Sequence, residues 1–221
     1  MRAQPPAPFK TPHGVESMPN TYPTLELLPA RIEHAYALAP HMKQADREEV
    51  KAASGLEPLE VLLKSLELSE KAYAILEKDE VIALGGLAPL TEHIGIPWAL
   101  TSNKIALYPK QFCRIAKELI KGFHKSYPLL SNFCDAQNTT TIRWLKWCGF
   151  QFVATIPEFG VIKTPFLQFE SKLCLKVKCS ELILRKPSDS IPCAPAIPAK
   201  NHTKPLESIG FLQKTVRKAI F

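Results

Sequence analysis

The residues able to do covalent or metal chemistry are thinly spread along this sequence. Its six cysteines are Cys113, Cys134, Cys148, Cys174, Cys179 and Cys193; none forms a Cys-x-x-Cys pair, and no histidine stands at zinc-ligand spacing from any of them. No metal site is expected, and the cysteines read as reduced thiols, several packed as small apolar groups. His34 and His41 have no partner at a known spacing and read as structural. Polar chemistry gathers instead after the apolar run 129–136, where Asp135 closes the run and Asn138 opens a helical pattern. Asn138 is either a helix N-cap, whose side-chain oxygen accepts from the first turn, or a polar contact for a ligand. Asp135 suits the turn at the end of the run.

The elements that must position these groups follow from periodicity. Residues 32–38, with alanines, leucine and a tyrosine recurring, read as a first strand. Asp46 with Glu49 three residues on has the spacing of a capping box and predicts a helix ending at Ser54, with Gly55 as its C-terminal cap. Leu59, Leu62, Leu63 and Leu66 form one helical face over 58–70. The apolar runs 72–76 and 81–87 flank a charged turn and predict an antiparallel hairpin. A further strand over 97–102 places Trp98 and Leu100 on one face. Pro109 opens a long helix whose apolar stripe is Phe112, Ile115, Ala116, Leu119, Ile120 and Phe123. A buried strand over 129–136, a helix over 139–148 stopped by Gly149, and strands over 150–156 and 166–170 complete the set. In that helix Trp144 and Trp147, with Phe150, read as anchors to the sheet. The order is α+β, with a mixed, mostly antiparallel sheet and helices on both faces.

Proline and charge set the boundaries. Seven of the 20 prolines lie in residues 1–29 and five more in 187–205, so a disordered arm (1–29), a compact domain (30–170) and an extension (171–221) are expected. The 221 residues are 46% hydrophobic and carry a net charge of +7, but residues 1–170 hold 18 Lys+Arg and 18 Asp+Glu, while 171–221 hold 10 and 3. The basic excess therefore belongs to the extension. There Leu173 to Leu184 suggests one more strand, and Ile209, Leu212, Val216 and Ile220 a short basic helix suited to an anionic surface. No apolar run reaches 18 residues, so no transmembrane segment is expected, and the N-terminus lacks the apolar stretch of a secretory signal. A cytoplasmic address in a bacterial host cell is the expectation, with a virion location as the variant.

Asn138, Thr141, Ile142, Gly149 and Phe150 together resemble the helix start and Gly-Phe ending of the GNAT-type N-acyltransferase fold. A wider set is similar to a GNAT-like family of tailed-phage and prophage proteins that includes an internal virion component of short-tailed phages. It comprises Glu33, His34, Ala35 and Tyr36; Leu38 to Met42; Ala45 and Asp46; Gly86 to Pro89; Pro97, Trp98 and Thr101; and Asp135, Ala136, Asn138 and Ile142 to Leu145. The resemblance implies an acyl-CoA, acetyl-CoA in the simplest case, lying between two parallel strands that splay apart, 97–102 and 129–136. It implies cofactor contacts from Thr101, Ser102, Asn138 and Thr141. Relatives place the pyrophosphate on a glycine-containing loop at the next helix N-terminus. Residues 101–111 hold no glycine, only Lys104 and Lys110 as cations, so the helix N-terminus near Pro109 is expected to be blocked or displaced. Leu145 stands where many relatives carry an acidic tyrosine; Tyr108 and Cys148 are the stand-ins. Glu92 and His93 read either as a general base or as a solvated loop. No catalytic residue is singled out. Two functions follow: an acyl-CoA-dependent N-acyltransferase with a degenerate cofactor loop, or a non-catalytic component that contacts phage structural or host proteins.

Overall fold

The computed structural model describes residues 25–173, which build a seven-stranded sheet in the order β1-β2-β3-β4-β5-β7-β6. The elements are β1 (Leu25–Pro29), α1 (Ile32–Leu38), α2 (Gln44–Ser54), α3 (Pro58–Leu68), β2 (Lys71–Glu77), β3 (Glu80–Pro89), β4 (Ile94–Thr101), α4 (Pro109–Phe123), β5 (Leu129–Asp135), α5 (Thr139–Cys148), β6 (Gln151–Phe159) and β7 (Thr164–Lys172). All neighbours are antiparallel except β4 and β5. Helices α1, α2 and α3 pack on one face through Ala35, Leu38, Val50, Val61 and Leu62 against Ala74, Leu84, Trp98 and Leu100. On the other face α4 and α5 pack through Ala116, Phe123, Leu145 and Cys148 against Leu87, Leu130, Cys134 and Phe169. The α+β reading with helices on both faces is what the chain adopts. The strand and helix suggested after Leu173 lie outside the described residues.

Three local expectations change. The first element after the arm is a helix: Ala35 and Leu38 are fully buried while Ile32 and Tyr36 stay 59% and 57% exposed, which is a three-residue spacing and not the alternation of a strand. The residues just before it, inside the segment expected as an arm, form the edge strand β1, paired with β2 from Leu25↔Glu77 to Pro29↔Tyr73. Proline is tolerated at the end of an edge strand because it removes no ladder bond there. Asp46 is not an N-cap. Lys43 precedes the helix in extended conformation, and Asp46 sits inside the first turn, buried. The helix ends fare as expected: Gly55 and Gly149 both adopt positive φ, 77° and 96°, closing α2 and α5.

Candidate functional site: a window between two parallel strands

Strands β4 and β5 pair only at Ile94↔Leu129 and Gly95↔Leu130 and then diverge. The hydrogen-bond register fixes what faces the gap. Ser102 N–H donates to the Ile82 carbonyl (2.8 Å) and Leu90 N–H to the Ile94 carbonyl (2.9 Å), so the even-numbered positions of β4 bond to β3. The odd positions, Gly95, Pro97, Ala99 and Thr101, therefore turn their backbone groups toward β5. Pro97 is accommodated in the middle of the sheet for this reason, since the N–H it lacks would point into the gap. Its carbonyl accepts from Asn132 Nδ2 (2.9 Å), a buried side chain of β5 that bridges the narrow end.

Helix α2 lies across the wide end. Asp46 Oδ2 accepts from the Thr101 N–H (2.9 Å) and from Thr101 Oγ1 (3.1 Å), Lys43 N–H donates to the Thr101 carbonyl (2.8 Å), and Lys43 Nζ pairs with Asp46 Oδ1 (3.1 Å). One turn further, Glu49 reaches the end of β5, where its carboxylate accepts from Asn138 Nδ2 (2.9 Å) and from the Asp135 backbone N–H. Asn138 is the helix cap foreseen as one of its two readings: its Oδ1 accepts from Thr141 N–H (3.1 Å), while its amide nitrogen holds Glu49. Asp135 forms the strand-end turn, accepting from Gln137 N–H (2.8 Å). The result is a frame, closed by Asn132 at one end and by Asp46 and Glu49 at the other, in which Ala99 presents a backbone N–H and carbonyl with no partner among the described residues.

The frame surrounds a cavity of about 120 Å³ that passes through the sheet. Ala99, Asn132, Cys134, Thr141, Trp144 and Leu145 are among its walls. Among the described residues the titratable side chains lining it are Glu49, Tyr73 and Cys134. Burial drives the Cys134 thiol far upward, assisted by the charges of Glu49 and Asp135, so it stays protonated. Glu49 differs. Desolvation raises its carboxyl to about 7, with the Asn138 hydrogen bond pulling back and the Asp46 and Asp135 charges adding to the rise. A carboxylate titrating there gains and loses a proton easily at neutral pH, which is the property of a general acid or base.

The residues foreseen from sequence fall around this frame unevenly. Thr141 lines the cavity. Thr101 stands on the gap edge, but its backbone and hydroxyl are engaged by Asp46 and Lys43. Ser102 turns away from the window, bonded to β3 and bridged to Met42, with its Oγ buried and unpaired. Leu145 is buried in the cavity wall and carries no proton. Neither stand-in reaches the cavity. The Tyr108 hydroxyl bonds to Glu77, which raises it to about 12, and Cys148 is packed beside Cys113 with its thiol pushed to about 12 by burial. Glu92 and His93 form an exposed pair (3.4 Å) in the β3–β4 turn, at the narrow end of the frame, and so match the loop reading. Trp144 stacks on Phe112 of α4 at 5.2 Å, whereas Trp147 is 51% exposed beneath Lys117 Nζ and anchors nothing to the sheet. Sequence reasoning missed Glu49, Ala99 and Asn132.

The corner after β4 has its own local geometry. Residues 103–107 coil into a tight 3-10 turn whose Ile105 N–H is bonded back to Ser102, and Pro109 opens α4 with no N–H of its own. Lys104 is paired with Glu80, and Glu77 holds Tyr108, so two carboxylates flank this corner. The residues present thus fit the thioester arm of an acyl donor, while the corner that would face its diphosphate is built without glycine.

No protein-family model matches the sequence, and no curated protein sequence matches it. Solved structures do. Ard1 from Thermoplasma volcanium superposes with a TM-score of 0.56 at 9% identity, covering 67% of this chain and 97% of that one. A GNAT-family acetyltransferase from Bacillus anthracis gives 0.51 at 10% identity, covering 67% and 95%. The fold is that of the GNAT acetyltransferases. Spermidine N-acetyltransferase from Vibrio cholerae, solved with CoA and spermine, is a further GNAT-fold neighbour (TM-score 0.51, 14% identity, 67% and 95% covered). At these identities the likeness establishes the fold alone.

Proposed function

We propose that this chain is an N-acyltransferase that takes its acyl group from a CoA-type thioester. One observation carries the reading: a window between splayed parallel strands where an unpaired Ala99 N–H and a carboxylate titrating near neutrality, Glu49, meet the same apolar cavity. Ala99 N–H is placed to hold the thioester carbonyl oxygen as charge develops on it, the service of an oxyanion-hole donor. Glu49, in its ionised form, accepts a proton from the attacking amine. The nitrogen–carbon bond forms, the carbon–sulfur bond breaks, and the thiolate leaves toward solvent, where water protonates it. The apolar walls exclude water from the thioester and so favour transfer over hydrolysis. The outer faces of α4 and α5 carry Lys110, Arg114, Lys117, Lys121, Arg143 and Lys146 against the single acid Glu118, a positive surface that attracts a phosphate-bearing donor without a glycine loop.

A second reading is favoured by one observation, the carboxylates Glu77 and Glu80 where a diphosphate cradle would lie: a non-catalytic GNAT-fold component of phage type, as the sequence resemblance suggests. Thiol release separates the two. Acetyl- and butanoyl-CoA incubated with the full chain and a panel of primary amines, polyamines included, are expected to release CoA only when an amine is present. Release absent with every amine supports the non-catalytic reading.

A further inference from the structure

On the far side of the window from α4 and α5, the cavity continues into a chamber under α2 and α3, walled by Val50, Val61, Ser65, Leu84, Trp98 and Leu100. All six are buried, Ser65 to 1% exposure. Ser65 Oγ has no hydrogen-bond partner. The Trp98 indole N–H is committed to Ser69 Oγ (2.8 Å), and the side chains of Val50, Val61, Leu84 and Leu100 are aliphatic. A lone water needs two to four polar partners, and this chamber offers one side chain. The hydroxyl therefore stands unsatisfied in an apolar space continuous with the window, an arrangement that a ligand oxygen would complete.

We infer that the chamber receives the acyl tail, and that the transferred group is a short apolar chain of about four carbons bearing an oxygen substituent for Ser65, since window and chamber together measure about 120 Å³, under the ~150 Å³ of apolar space that holds a benzene-sized group. The inference rests on the acyltransferase reading and sharpens it. An acceptor amine has to arrive from solvent and leave acylated, so the half-buried Glu49 rim suits it better than a chamber lined by buried, mostly apolar side chains. An acetyl group, held at Ala99, would leave the chamber empty and Ser65 unpaired.

Binding is measured calorimetrically with the full chain and S-acetyl-, S-butanoyl-, S-hexanoyl- and S-(3-hydroxybutanoyl)-pantetheine, probes that lack the nucleotide and so isolate the arm. Affinity is expected to rise at least about tenfold from acetyl to butanoyl, as two buried methylenes require. It should rise again with the hydroxyl. Ser65→Ala, which deletes an unpaired hydroxyl and keeps or raises thermal stability, removes the hydroxyl increment and leaves butanoyl binding unchanged. Val61→Leu, which narrows the chamber, reduces the chain-length preference while acetyl binding holds. Acetyl bound as well as or better than every longer chain overturns this inference and leaves the acyltransferase reading standing. Failure of every thioester, acetyl included, to bind overturns both.

Discussion

Glu49 is the residue on which the chemistry turns, and its state has a stability consequence. Its carboxyl sits at about 7 in the fold against an ordinary 4.5, so the folded chain holds a proton that the unfolded chain has released between those values. Stability therefore falls as pH rises through that window, and above it the ionised, desolvated Glu49 costs roughly 3 kcal/mol. Glu49→Gln keeps an acceptor for Asn138 and removes the penalty. The variant is expected to melt higher than wild type at pH 8 and equally at pH 4.5, while kcat drops about 10²- to 10⁴-fold and the rise of rate with pH near 7 disappears. Equal melting temperatures at pH 8 would show that Glu49 bears no burial cost. Asn138→Ala removes a hydrogen bond that lowers Glu49, so the inflection in the pH–rate profile moves above 7, with about 1 kcal/mol of stability lost with the cap. An unmoved inflection would detach Asn138 from the base. Little of this was legible in the sequence. Glu49 was visible only as the second half of a capping box, because what raises it is burial in the assembled fold, and the Asn138 bond that opposes the rise comes from 89 residues away.

At the scale of elements, local signals served well where one face of a segment meets one partner. Gly55 and Gly149 stop their helices, the 77–80 turn joins a hairpin, and the Phe112 to Phe123 stripe faces the sheet. They failed for α1, where Ala35 and Leu38 pack between β3 and α3 and the short segment offered both periods. The splay of β4 from β5 comes only from the resemblance, because the sequence reads as a strand starting at Pro97; the structure starts it at Ile94, and the side on which Pro97 lacks its N–H goes unpaired. Ala99 points its N–H to the same side two residues on. Ala99→Pro is therefore expected to fold, with a melting temperature within a few degrees of wild type, and to lose about 10²- to 10³-fold in kcat through its missing donor. Wild-type kcat in a folded Ala99→Pro chain would remove the oxyanion role from this strand edge.

Across the whole molecule the charge is divided. Residues 1–170 are balanced, yet α4 and α5 carry most of the positive side chains of the β4–β6 region, while α2, α3 and the β2–β3 turn are rich in Asp and Glu. The +7 of the whole chain belongs to residues 171–221. A chain ending after Leu173 is expected to elute from a heparin column at distinctly lower salt than the full chain while binding thioesters equally. Unchanged elution would assign the anion-binding surface to α4 and α5. The window itself is tested most directly by titrating butanoyl-CoA into the full chain in a calorimeter. The account predicts a saturable isotherm with one site per chain, weakened when Arg114 and Arg143 are both replaced by Glu. No heat of binding at millimolar donor would contradict it.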